Sequence, residues 1–284
     1  MIVKSIKTHK ITTLDKDLIK ILDKYIKKLN DGSVVVIVSK IVAITQGRVL
    51  KINEEEKEKI IKKEAQYFIP KEEHKFGLFV TINNNHLTYS SGIDESNGNG
   101  YDILWPKNPQ KSANQAREYL KKKFNLKKIG VIITDMAALP LRWGIIAGEI
   151  AYSGFNPLKI LTGTPDVFGR KFKYTKVGIL NGLAAAAGVV MGEGAEQTPL
   201  GIIEDIPFVE FQDRNPTEQE LRDLVIEPEN DLYGSMIKNA NWKKGGEAGA
   251  RTLNRHDFVI PMSSLPIFTQ LKSSNGNCRD GFGK

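Results

Sequence analysis

One cysteine and four histidines among 284 residues leave little material for soft-metal chemistry. The lone Cys278 excludes an intramolecular disulfide and a cysteine cage for zinc, which fits a reducing compartment. His9, His74, His86 and His256 lack metal-ligand spacing and read as surface histidines. No window approaches the run of about 20 apolar residues that spans a bilayer, and the polar, basic stretch from Met1 to Lys10 does not read as a signal peptide. A cytoplasmic address with no membrane partner is therefore expected. Also missing are a Gly-x-x-x-x-Gly-Lys-Ser/Thr loop and a Gly-x-Gly-x-x-Gly turn between strand and helix. Their absence disfavours a P-loop ATPase and a Rossmann dinucleotide site.

What is present begins with a 40% hydrophobic content, enough at this length for one large domain or two modest ones. The net charge is +8, yet the lysines alternate with acids, as in 53–59. Solvated helix surface explains them better than a nucleic-acid patch, because no basic stripe is interleaved with aromatics. The positive field would still favour phosphate-bearing and carboxylate-rich substrates.

Periodicity then gives alternating elements, the mark of an α/β (mixed α+β) chain. Leu14, Leu18, Ile21, Leu22, Tyr25 and Leu29 fall at helical spacing and predict a helix over 14–29. Val34 to Val38 reads as a buried strand with Ser39 and Lys40 at its carboxyl end. A charged helix is expected over 54–65, then a hairpin of 78–82 and 87–91 around Asn83-Asn84-Asn85. Ser112 and Gln115 form a capping-box start for a helix to Phe124. Ile129 to Thr134 reads as a strand with Asp135 at its exit, 145–152 as another, 177–191 as a small-residue helix and 200–203 as a short strand. Residues 1–244 form the expected catalytic domain. The Gly- and Ser-rich 245–284 reads as a poorly ordered tail, with 258–262 and 265–271 as stray elements.

Three isolated acids stand on expected loops. Asp94 follows Gly92-Ile93, Asp135 follows a strand, and Glu193 lies in Met191-Gly192-Glu193-Gly194-Ala195-Glu196-Gln197-Thr198. Glycines beside a carboxylate let backbone approach a phosphate while the acid holds its cation. Each acid also has a plainer role: Asp94 an Asx-turn, Asp135 a helix cap, Glu193 a solvated loop acid. Arg142 sits in an apolar segment where a guanidinium needs a carboxylate or phosphate partner.

Six motifs in order resemble the nucleotide-dependent γ-glutamyl ligases typified by coenzyme F420:L-glutamate ligase. They are 39–48, ending in Gln46-Gly47-Arg48; 92–97; 130–135; Leu141-Arg142-Trp143-Gly144; Pro165-Asp166-Val167-Phe168-Gly169-Arg170; and 191–194. The resemblance covers about residues 1–242 and implies a two-part α/β fold assembling as an intertwined homodimer. It implies a GTP-dependent reaction, with ATP the alternative. A substrate carboxylate becomes an acyl phosphate, and the amine of L-glutamate displaces phosphate. Carried over by motif, Asp94, Asp135 and Glu193 are metal ligands for Mg²⁺ or Mn²⁺, with Met136 contributing its carbonyl and K⁺ a further ion. Asp135 and Glu193 are the catalytic pair. Ile11, Thr12, Thr13, Leu14, Ser39, Lys40, Asn97 and Met191 to Thr198 contact the nucleotide, and Arg142 contacts acceptor or phosphate.

The chain departs from the family pattern at Met136-Ala137-Ala138-Leu139, at Ile44 and at Asn181-Gly182. The acceptor therefore stays open between a pterin (folate) and a deazaflavin. Pro140 to Gly144 and Glu196 to Leu200 look more like bacterial folate-metabolism relatives. A nucleotide-binding homologue with impaired catalysis is the rival reading.

Overall fold

The computed structural model describes residues 1–246; the expected elements at 258–262 and 265–271, with His256 and Cys278, lie outside the described residues. In chain order the first half runs β1 (Ile2–Ile6), α1 (Leu18–Tyr25), β2 (Ser33–Val38), α2 (Ser39–Thr45), β3 (Val49–Leu50), α3 (Glu54–Glu64), β4 (Tyr67–Ile69), β5 (Val80–Asn83), β6 (His86–Tyr89) and β7 (Asp102–Ile103). Then follow α4 (Pro109–Phe124), β8 (Ile129–Ala138), β9 (Ile145–Ser153), β10 (Leu158–Ile160), β11 (Lys176–Gly178) and α5 (Ile179–Met191). The described chain closes with β12 (Leu200–Glu204), α6 (Glu218–Leu224), α7 (Gly234–Asn239) and β13 (Lys243–Lys244).

The main sheet has the order β1-β12-β2-β8-β9, with β2 and β8 parallel and the other neighbours antiparallel. Its strands carry apolar side chains on both faces because both are covered. On one face Val35, Ile37, Val131, Ile133, Leu200 and Ile202 meet Ile21 and Leu22 of α1, Ile41 and Val42 of α2, and Ala113, Ala116 and Leu120 of α4. On the other, Val34, Val36, Ile132 and Ile203 meet Leu180, Leu183, Ala184, Ala187 and Met191 of α5. The alanines let α5 lie close to the sheet. A smaller antiparallel sheet, β13-β4-β5-β6, packs with α3 around its own core of Ile61, Phe68, Phe79, Ile93 and Leu104.

The parallel pair decides where the site lies. It sets Val38 beside Thr134, so Ser39, Lys40 and Asp135 emerge at the same edge. Asp135, expected in an exit loop, lies inside β8 because β9 folds back against it as far as Ala138, pairing Asp135 with Gly148. A bulge between Ile133 and Thr134 shifts the register and makes Ile150 the extra residue of β9.

Other boundaries move for local reasons. The first helix is confined to 18–25, since Asp17 caps it through the Ile19 and Lys20 amides and Leu14 is 87% exposed. The hairpin turn is the pair Asn84-Asn85, both left-handed, with Asn83 kept in the strand. Asn108 caps α4 with Pro109 in its first turn, so Ser112 is buried inside the helix and caps nothing. Val177 belongs to β11, which pairs with β10, and α5 starts two residues later than expected. Lys243 and Lys244 form a short strand paired with Phe68 and Tyr67 of β4.

Gly130 in β8 exists for packing: an added Cβ would stand 2.7 Å from the Phe155 ring and 3.0 Å from Val34, both fully buried. Gly130→Ala is expected to cost about 1–3 kcal/mol of unfolding free energy by overpacking. Urea denaturation checks it, and unchanged stability would show that this core yields.

Candidate active site

Two glycines position the acids. Gly92 (φ 74°) follows the left-handed Ser90 and Ser91, and this sharp turn delivers Asp94 two residues on. Gly192 (φ 74°) caps the end of α5 and turns the chain into the loop bearing Glu193.

Between them stands Lys40, in the first turn of α2. Its Nζ lies 2.8 Å from Asp94 Oδ2 and 3.4 Å from Glu193 Oε1, and it donates to Ser96 Oγ at 2.7 Å. Burial alone would depress the Lys40 ammonium, but Asp94 and then Glu193 hold it above the ordinary lysine value. Burial likewise works against the Asp94 carboxylate. Lys40 and the Ser96 amide and hydroxyl outweigh it and keep the group below the usual range. The Ser96 bonds form the Asx-turn expected of Asp94, so that role and the pairing with Lys40 coexist.

Asp135 occupies a different environment. It keeps a little accessible surface, yet dense protein surrounds it and burial pushes its carboxyl up to about 6. The Trp105 indole N–H, the Ser39 hydroxyl (2.9 Å) and the Met136 backbone N–H oppose that rise. It caps no helix. The phenol of Tyr89 is pushed up first by burial and then by the fields of Asp135, Asp94 and Glu193, so one side chain feels all three acids.

The donor chemistry decides whether a divalent cation fits. Among the described residues, no group of three or more His, Cys, Asp or Glu side chains is gathered so as to hold a metal ion. Asp94 and Glu193 nevertheless already share a cation, the Lys40 ammonium, and Asp135 lies within its field. All three offer hard oxygens of the kind Mg²⁺ and Mn²⁺ prefer. The donor chemistry thus fits such an ion, with Lys40 holding the position of countercharge between two of the acids.

Beside the acids opens a cavity of about 470 Å³. The whole loop Met191 to Thr198 lines it, with Lys40, Asn97, Ile11 and Thr12. Asn97 Nδ2 donates to the Gly194 carbonyl at 3.1 Å, joining the Asp94 loop to this wall. Gln197, left-handed at φ 59°, exchanges bonds with Thr8, and Thr198 Oγ1 donates to the Met191 carbonyl. Thr13 and Leu14 do not line the cavity, and Ser39 turns to Asp135 instead. Arg142 is exposed on the β8–β9 loop, donates to the Leu141 carbonyl and meets no acid among the described residues.

Two histidines are more than surface residues. His9 lines the cavity, with Nε2 at 2.9 Å from Asp15 Oδ1 and Nδ1 at 2.6 Å from the Tyr25 hydroxyl. That hydroxyl already accepts the His9 backbone N–H, so an Nε2–H tautomer bonded to Asp15 satisfies every partner. His86 stands edge-on to Trp105 at 5.8 Å. Trp105 itself carries no motif; its position before Pro106 gave no signal that its N–H reaches Asp135.

A family model described as F420-0:Gamma-glutamyl ligase matches residues 5–205, which includes all six motifs but is shorter than the expected extent of about 1–242. The coenzyme F420:L-glutamate ligase of Methanococcus maripaludis strain C6 is 39% identical over 157 residues, covering 55% of this chain and 60% of that protein. The protein of the same name from Methanocaldococcus jannaschii is 40% identical over 147 residues, covering 51% and 55%. That from Haloarcula marismortui is 31% identical over 154 residues, covering 54% and 57%. The matched stretch thus spans little more than half of each relative.

The buried Asp135 gives a pH test. Its folded value of about 6 lies above the ordinary 3.8, so its ionisation opposes folding increasingly as pH rises through that interval. In chelator, the unfolding free energy of Asp135→Asn relative to the parent should rise by about 2 kcal/mol from pH 4 to pH 8. Paired denaturant titrations check the sign; a difference independent of pH would place the carboxylate in a wetter setting.

Proposed function

The chain belongs to the F420-0:gamma-glutamyl ligase family, and from that membership we propose that it joins L-glutamate to an acceptor carboxylate at the expense of a nucleoside triphosphate, GTP in the first instance. The observation that carries this reading is Lys40 paired with Asp94 and Glu193 at the mouth of the cavity walled by Met191 to Thr198. In the proposed reaction an acceptor carboxylate oxygen attacks the terminal phosphorus, giving an acyl phosphate and GDP. The glutamate amine then attacks the acyl carbon, inorganic phosphate leaves, and the amine surrenders a proton.

Lys40 and the backbone of the 191–198 loop hold the phosphates, while Ile11 and Thr12 close the far wall. A bound Mg²⁺ or Mn²⁺ supplies neutralisation of phosphate charge. Asp94, Asp135 and Glu193 would hold it, leaving the Lys40 ammonium to pair with phosphate. Asp135 is fixed by neutral donors on both its oxygens, the Ser39 hydroxyl and the Trp105 indole N–H.

The relatives named above carry the coenzyme F420 name, which favours the deazaflavin F420-0 as acceptor over the folate expectation; no finding supports folate. An intertwined homodimer is part of the same reading. Trp143 (94% exposed) on the β8–β9 loop and Phe168 (93% exposed) on the β10–β11 excursion present apolar surface that a second copy would cover. Light scattering is expected to give a dimer, with Phe168→Asp shifting the mass toward monomer.

The deciding assay supplies GTP or ATP, L-glutamate, Mg²⁺ or Mn²⁺ and either F420-0 or folate, and reads the product by mass. Glutamylated F420-0 formed in step with GDP and phosphate is expected, and Glu193→Gln should lower the rate at least about 100-fold. Product from folate alone would reassign the acceptor. Tight GTP binding with no product from either would favour the catalytically impaired homologue.

A further inference from the structure

We propose that Trp105 is a positioning residue that fixes the spacing of the Asp94 and Asp135 carboxylates by bridging the two sheet systems that carry them. Asp135 belongs to the main sheet, whereas Asp94 bridges to Ile103 of β7, which pairs with β3 in a separate two-stranded sheet, and Trp105 follows β7 two residues on. The indole is 5% exposed. Its N–H is donated to Asp135 Oδ2, while Ser39 holds the other oxygen. The indole also lies directly on Gly92, where any Cβ would overlap the Nε1, Cδ1 and Cε2 atoms. One ring thus touches the strand residue on one side and the turn delivering Asp94 on the other.

The brace behind Trp105 explains a motif that nucleotide contact leaves unused, Gln46-Gly47-Arg48. Arg48 Nε donates to the Trp105 carbonyl at 3.1 Å, and the Arg48 carbonyl accepts the Leu104 N–H at 3.0 Å. Gln46 accepts the Lys107 N–H at 2.8 Å and donates to Ser112 at 3.0 Å, tying the segment to α4. His86 closes on the indole from β6, its ring nearly perpendicular. A ring needed only as core filling would require no donor aimed at a carboxylate and no glycine opposite its nitrogen. Outer-shell donors of this kind orient the carboxylates that receive a cation.

This role rests on the ligase reading, and Mn²⁺ binding measured without turnover separates the two. In GTP-loaded protein lacking acceptor, followed by electron paramagnetic resonance, Trp105→Phe is expected to weaken Mn²⁺ binding about 10- to 100-fold. In the full assay it should lower kcat similarly and leave the KM for GTP within about twofold, because the 191–198 loop is untouched. Gly92→Ala, which displaces the ring from the opposite side, should reproduce the loss. Wild-type Mn²⁺ affinity in folded Trp105→Phe overturns the proposal, as does a parent protein that binds no Mn²⁺.

Should both variants fail to fold, the Trp143→Phe protein serves, with buried Trp242 as internal reference. Mn²⁺ should quench the Trp105 emission there, and unquenched emission at saturating Mn²⁺ overturns the role. Parent protein that binds Mn²⁺ in a Trp105-dependent way yet ligates nothing sinks the ligase reading and leaves this one standing.

Discussion

Carboxylates do not gather in a half-dry groove without a positive charge among them, and here Lys40 supplies it. Asp94 and Glu193 both lie within hydrogen-bonding or ion-pair distance of one nitrogen, which puts their oxygens about 6 Å apart or less. At an effective dielectric of about 20, two such charges repel by roughly 3 kcal/mol. The ammonium reverses that balance, and its own desolvation is more than offset by the two acids.

The scaffold makes that convergence cheap. Lys40 stands two residues past the end of β2 and Asp135 one residue past Thr134, which pairs with Val38, so a single parallel register brings lysine and acid to one edge. Glu193 arrives from α5 on the opposite face of the sheet, carried around the edge by the Gly192 turn. Asp94 comes from the turn after β6 and bridges to Ile103 of β7, and Trp105, whose carbonyl accepts from Arg48, donates its indole N–H to Asp135. The wall of the cavity is a loop whose backbone is tied at Gly194 to Asn97 and at Gln197 to Thr8.

Much of this was legible in the chain. The β-branched run 34–38, the strand beginning at Ile129 and the alanine-rich helix ending at Met191 announced themselves by periodicity and composition, and glycines marked the turns that present Asp94 and Glu193. Boundaries were less legible where a distant partner settles them. Asp135 reads as a loop residue until β9 returns to pair with it, and Ser112 reads as a cap until Asn108 takes that place. His9 looked like a surface residue because its partners, Asp15 and Tyr25, are six and sixteen positions away and meet it only when the chain folds back.

The sequence by itself determined the class of fold and the loop that lines the cavity, because each of those rests on local pattern and short motifs. Only the tertiary structure decided that Lys40 is the countercharge shared by two of the acids, that Asp135 is held by an indole, and that Arg142 points away into solvent. Those facts depend on distances between segments tens of residues apart. Such distances are set by sheet register and by the packing of one ring against one glycine, and no periodicity along the chain records them.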